Sequence, residues 1–118
     1  MATAERELRA AQNQMLFRSV NDRIRELGEN PLNSVEEVDF ACECANPECI
    51  EPIRMPVSQF AALEGVENRF IVVRGHELPE VEDVVGERDG FLIVSKRGAG
   101  AEYVKEHSLR ARAERPLP

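Results

Sequence analysis

The run VDFACECANPECIEPIRM, residues 38–55, carries two patterns at once. Val38, Phe40, Cys42 and Cys44 alternate with Asp39, Ala41 and Glu43, the period of a half-buried strand. Residues 45–48 (ANPE) hold Asn and Pro, which turn a chain. Beyond the turn, Cys49, Glu51, Ile53 and Met55 share one parity. Pairing the two segments as a hairpin puts Cys42, Cys44 and Cys49 on the face of Val38, Phe40, Ile53 and Met55. The cysteines then gather at the hairpin tip, on the core side. Pro52 has no N–H to give and restricts the second strand to an edge or a bulge.

Outward from this hairpin, helical and extended segments alternate. Residues 3–27 contain no Gly or Pro and are rich in Ala, Arg, Glu, Leu and Gln, which predicts a long helix. Thr3 is its candidate N-cap and Gly28 its stop. Two apolar stripes run along it: Ala4, Leu8, Ala11 and Met15 on one side, Phe17, Val20, Ile24 and Leu27 on another. The second is larger and is expected to face the core. The first is left for a partner, a twin subunit or solvent. Arg18, Asn21, Asp22 and Arg25 fall on other faces. Residues 29–34 (ENPLNS) read as a loop.

After the hairpin, Ser58 can cap a short helix with Phe60 and Leu63 as contacts and Gly65 as its stop. Residues 69–74 (RFIVVR) read as a strand. VEDVV and FLIVS form a second hairpin across GERDG. RGAG, residues 97–100, reads as a loop, and 101–113 as a helix with Tyr103, Val104 and Leu109 as apolar points. The expected fold class is α+β: a small antiparallel sheet of two hairpins plus a strand, a long N-terminal helix, one short helix and a C-terminal helix. Residues 1–28 form the helix, 29–113 the α+β domain and 114–118 a disordered tail.

Composition sets further bounds. At 118 residues the chain is the size of one domain. With one Tyr, five Phe and no Trp, its core must be mostly aliphatic. No run approaches the roughly 20 apolar residues of a membrane span. MATAERELRA lacks the apolar region of a signal peptide. These features point to the cytoplasm and away from a membrane. The net charge of −7 is uneven: residues 1–28 sum to +1, 29–93 to −11 and 94–118 to +3. An acidic body repels a phosphate backbone, so nucleic acid is not expected to bind through it. Arg110, Arg112 and Arg115 are expected to solubilise the C-terminal end, contact with an acidic partner being the alternative.

All three cysteines lie within residues 42–49. In a reducing compartment, clustered cysteines indicate metal or redox chemistry rather than a disulfide framework. Three thiols are one short of a tetrahedral site, and the histidines on offer are His76 and His107. His76 follows the RFIVV strand directly after Gly75, which can turn the ring back toward the hairpin. His107 sits in the C-terminal helix among Glu, Lys and Ser, on a solvated face. The candidate ligands are therefore Cys42, Cys44, Cys49 and His76. Soft sulfur donors select Zn2+ over magnesium or calcium. A closed set of four has no position for water and indicates a structural site. The alternating glutamates argue against deep burial of all three cysteines.

LFRSVNDRI (16–24), CECANPEC (42–49) and RGHELPEVEDVV (74–85) together resemble a group of small, uncharacterised bacterial proteins. That group shares FRxVNxRI, CxC(4)C and GHExPE segments, and the similarity covers most of residues 16–96. The resemblance implies Cys42, Cys44, Cys49 and His76 as shared site residues and implies no activity.

The sequence thus suggests a small cytoplasmic zinc-binding protein, a regulatory or protein-interaction module whose N-terminal helix contacts a protein partner or a second copy. One alternative is a redox-sensing zinc-thiolate switch. Another is a metal-dependent hydrolase with Glu77 as base, which needs an open metal position. Ser nucleophile motifs, a P-loop and GxGxxG are absent.

Overall fold

The computed structural model describes residues 2–30 and 36–114. Its elements run in the order α1 (Ala2–Gly28), β1 (Glu37–Ala41), β2 (Pro52–Pro56), α2 (Val57–Glu64), β3 (Phe70–Val73), β4 (Glu82–Arg88), β5 (Phe91–Lys96) and α3 (Gly98–Glu114). This is the α+β architecture read from the sequence. The strands divide into two antiparallel sheets, β1-β2 and β3-β5-β4. Residues 31–34 of the ENPLNS loop, residue 35 after it and residues 115–118 of the C-terminal tail lie outside the described residues. Among the described residues no helix is long and apolar enough to cross a membrane.

The first hairpin has the expected register. Val38 pairs with Met55 and Phe40 with Ile53, so these four share one face. Phe40, Ile53 and Met55 are buried, and Phe40 stacks on Phe60 of α2 at 4.4 Å between ring centroids. Regular pairing ends at Ala41, short of the cysteines. Pro52 opens β2 at the edge of a two-stranded ladder, where a missing N–H is tolerated. The second sheet is more deeply buried. In β5, Phe91, Leu92, Ile93 and Val94 are all core residues, because β5 is central and covered on both faces. No side-chain hydrogen bond caps α2, whose N-cap is Pro56 rather than Ser58. The helix ends at the expected Gly65.

Two further expectations fail. Of the larger apolar stripe of α1, only Ile24 packs against the core. Val20 is 45% and Leu27 56% exposed, while Phe17 and Ile24 are half-buried. The buried positions are Ala10, Ala11, Gln14 and Asn21, and Arg18 and Arg25 are largely covered on the side of the last three. This face follows the spacing 7, 11, 14, 18, 21, 25, 28 and is mostly polar. It docks by directed bonds. Glu7 Oε2 accepts the Ala99 N–H at 3.1 Å, and Gln14 Nε2 donates to Glu82 Oε2 at 3.1 Å. Asn21 clasps Ala41, accepting its N–H at 2.7 Å and donating to its carbonyl at 2.8 Å. Arg25 Nε lies 2.8 Å from Glu64 Oε1. Gly28 closes the row by close approach, since a Cβ there would come within 2.6 Å of Val57 Cγ2.

The second failure is at RGAG, where α3 starts at Gly98 instead of at residue 101. The reason is non-local. Glu7, on the far side of the sequence, supplies a carboxylate to a free N–H in the first turn of α3, a favourable placement for an anion. A buried ion pair lies behind it. Lys96 Nζ is 3.4 Å from Glu82 Oε2, with both side chains excluded from water. Burial lowers the Lys96 pKa, and Glu82 offsets part of that shift.

Candidate metal centre

The Cys42–Cys44 segment leaves the β1 ladder and lies along the outer edge of β3. Cys42 N–H still donates to Glu51 O at 3.2 Å, extending the hairpin by one bond. Glu43 N–H then donates to Ile71 O at 2.7 Å. Ile71 N–H returns to Glu43 Oε1 at 2.9 Å. Val73 N–H donates to Cys42 Sγ at 3.2 Å. The turn that follows is locked by Asn46, whose Oδ1 accepts Glu48 N–H at 3.0 Å and whose carbonyl accepts Cys49 N–H at 3.1 Å. An Asn side chain that binds backbone two residues on is a standard turn former. It brings Cys49 back beside Cys42 and Cys44.

His76 arrives from the other sheet. Its N–H closes a turn onto Val73 O at 2.8 Å. The bend needs Gly75, whose φ is +97°, a value that side chains disfavour. Glu77 Oε1 accepts the Gly75 N–H at 2.7 Å and steadies the turn. The ring points its Nδ1 at the sulfurs, 3.6 Å from Cys42 Sγ and 3.5 Å from Cys49 Sγ. Its Nε2 lies 3.6 Å from Glu51 Oε1 on the open side. The ligand atoms of Cys42, Cys44, Cys49 and His76 all lie within 4.8 Å of one another. The four residues named from the sequence are therefore brought together, in an arrangement compatible with a Cys3His metal site.

The other candidates go elsewhere. His107 stacks on Tyr103 at 3.7 Å, and its Nδ1 lies 3.0 Å from the Tyr103 carbonyl oxygen within α3. Glu77 is turned onto the Gly75 amide rather than toward the sulfurs.

As the flanking glutamates suggest, deep burial does not extend to all three cysteines. Cys42 and Cys44 are buried and Cys49 half-buried. Burial pushes the Cys42 thiol up, partly countered by the Val73 N–H and reinforced by the neighbouring thiols. It likewise raises Cys44. Glu43, between them, is 0% exposed. A buried carboxylate survives only if paired and hydrogen-bonded. Glu43 Oε2 accepts Arg18 Nε at 2.7 Å and Asn21 Nδ2 at 3.0 Å, and Oε1 accepts Arg18 Nη2 at 2.9 Å. Burial works against the Arg18 charge, but the adjacent Glu43 outweighs it and the Arg18 pKa lies above its ordinary value. The guanidinium also covers the rings of Phe70 and Phe60, at 4.7 and 5.5 Å from their centroids, and donates to the Arg69 carbonyl.

This second group, Arg18, Asn21 and Glu43, is what reading the sequence missed. Its signal was the heptad-like spacing of polar residues in α1, which a search for apolar stripes passes over. Comparison with known proteins returns no matching family model, no matching curated protein and no matching solved structure.

Proposed function

We propose that the chain binds one Zn2+ through Cys42, Cys44, Cys49 and His76 Nδ1, and that this ion is structural. The observation that carries the reading is the position of His76 Nδ1, 3.6 and 3.5 Å from two sulfurs. Zn–S bonds of about 2.3 Å and a Zn–N bond of about 2.0–2.1 Å at tetrahedral angles put sulfur and nitrogen about 3.5 Å apart. A neutral ring nitrogen has one lone pair or one N–H and cannot bond well to two thiols at once. A shared ion accounts for both contacts. Three thiolates and an imidazole suit zinc better than hard cations. Four ligands fill a tetrahedral shell, which supports a structural over a catalytic role.

The three segments that carry the resemblance to the small bacterial group support the same unit. Arg18 and Asn21 of the first hold Glu43 of the second, and His76 of the third meets Cys42 and Cys49. On this reading the protein acts in the cytoplasm as a regulatory or protein-interaction module. Its contact surface is the outer face of α1, where Leu16 (61% exposed), Val20 and Leu27 stand clear of the fold. Elemental mass spectrometry of the untagged protein tests the metal. About one zinc per chain is expected, lost with fold stability in His76→Ala and Cys49→Ser; a metal-free wild type overturns the reading.

A second reading draws on the unequal burial of the cysteines. Cys49, half-buried, is the sulfur an oxidant meets first. Hydrogen peroxide would oxidise two thiolates to a disulfide, itself reduced to two waters with two protons consumed, and the ion would leave. Metal release at low peroxide that is reversed by a thiol reductant supports a switch; zinc retained under peroxide excludes it.

A further inference from the structure

A groove of about 340 Å3 lies between α2 and the β4-β5 hairpin, away from the cysteines. Its walls are apolar: Leu63 and Val66 on one side, Val85 and Ile93 on the other. Arg69 and Arg88 also line it. Val66 and Val85 are exposed, so the apolar rim faces water.

Two features mark it as a built site. First, the β4-β5 ladder breaks here. The register passes from Val84↔Val94 to Gly86↔Ile93, which leaves Val85 as an extra residue. Such bulges re-aim side chains and cluster near functional sites. Gly86 lets the Ile93 and Arg88 side chains lie close over the bulge, since a Cβ there would meet Ile93 Cδ1 at 3.2 Å and Arg88 Nη1 at 3.6 Å. Second, the arginines are unneutralised. Arg69 Nη1 donates to the Asn68 carbonyl and Arg88 Nη1 to the Glu87 carbonyl. Among the described residues neither pairs with a carboxylate, although residues 29–93 carry a net charge of −11. Arg18, Arg25, Arg54, Arg74 and Arg97 all find acidic partners. Two guanidiniums left without acids at an apolar groove complement an anion with an apolar body.

We propose that this groove binds a small organic anion, its apolar part against Leu63, Val66, Val85 and Ile93 and its carboxylate or equivalent head at Arg69 and Arg88. The volume suits a small molecule. A peptide strand added to β4 is disfavoured, because the bulge breaks the edge and exposed Asp83 and Glu87 flank it. The proposal does not depend on the metal reading.

The test is an amide-resolved NMR titration of the full chain with octanoate, 1-octanol and acetate as probes. Octanoate is expected to saturate, with shifts confined to residues around Val66, Arg69, Val85–Arg88 and Ile93. Octanol, lacking the charge, should bind about tenfold more weakly, and acetate, lacking the tail, should not saturate. Arg69→Gln and Arg88→Gln keep the fold, judged by the unchanged remainder of the spectrum, and should bring octanoate down to the affinity of octanol. Three results overturn the proposal: no saturable octanoate binding, equal affinity for octanoate and octanol in the wild type, or octanoate binding unaffected by both substitutions.

Discussion

Replacing Arg18 with methionine removes the cation that holds Glu43 inside the protein. Glu43 keeps neutral donors, Asn21 Nδ2 and Ile71 N–H, but loses both guanidinium bonds. At an effective dielectric of about 20, unit charges about 2.8 Å apart attract by roughly 6 kcal/mol. Taking two ions out of water costs several kcal/mol each, so the intact pair is close to break-even. The single replacement is not. It strands a charge in the interior, and a loss of about 3–5 kcal/mol is expected. Methionine preserves much of the contact with Phe60 and Phe70, so the loss reports the charge more than the packing. In urea unfolding, with a slope of about 1–3 kcal/mol per molar, the midpoint should fall by roughly 2 M. The double variant Arg18→Met/Glu43→Leu removes both charges and should recover much of the loss, short of the cost of leaving Ile71 N–H unpaired, about 1–3 kcal/mol, since Asn21 keeps its bonds to Ala41. A single-variant loss below about 1 kcal/mol, or a double variant no more stable than the single, refutes the argument that Glu43 depends on Arg18.

Three further outcomes follow from the same contacts. Asn21→Ala removes both bonds to Ala41 and one to Glu43 and should cost about 2–3 kcal/mol in the same urea assay; a surface-like loss of a few tenths would show that the clasp is dispensable. Gly28→Ala forces a methyl against the stiff Val57 side chain and should cost about 1–2 kcal/mol, with Gly28→Ala/Val57→Ala milder than the sum of its parts. Burial raises the Cys42 and Cys44 thiols, so the metal-free fold favours them protonated. Its stability should therefore be full below the unfolded thiol pKa of about 8.5 and decline as pH rises beyond it. Under the proposed zinc reading, uptake must displace those protons, so affinity measured by competition with a chelator should fall as pH is lowered through neutrality.

Much of the architecture was legible because it rests on local patterns. Alternation of Val38, Phe40, Ile53 and Met55 fixed the hairpin register, since a one-residue slip would turn that whole face outward. His76 was preferred to His107 because a glycine beside a strand end permits a sharp return. What was not legible was the docking of α1. Residue polarity ordinarily predicts exposure, and Gln14, Arg18 and Asn21 are buried only because their partners arrive from Glu82, Glu43 and Ala41, far along the chain. The same blindness put Glu43 on the surface. The start of α3 was misplaced for a related reason, as its capping carboxylate belongs to Glu7.

The segment between Cys42 and Cys44 has a consequence for solubility. Through Glu43 and Cys42 it occupies the outer hydrogen-bonding row of Phe70–Val73, four apolar residues in an extended strand. An uncovered edge of that composition pairs readily with the same edge of another molecule. If loss of the proposed ion or of Arg18 frees this segment, molecules would be expected to self-associate through β3 before they unfold. The yield of soluble protein in a cell would then follow its zinc supply, even if the ion touched no substrate and carried no signal.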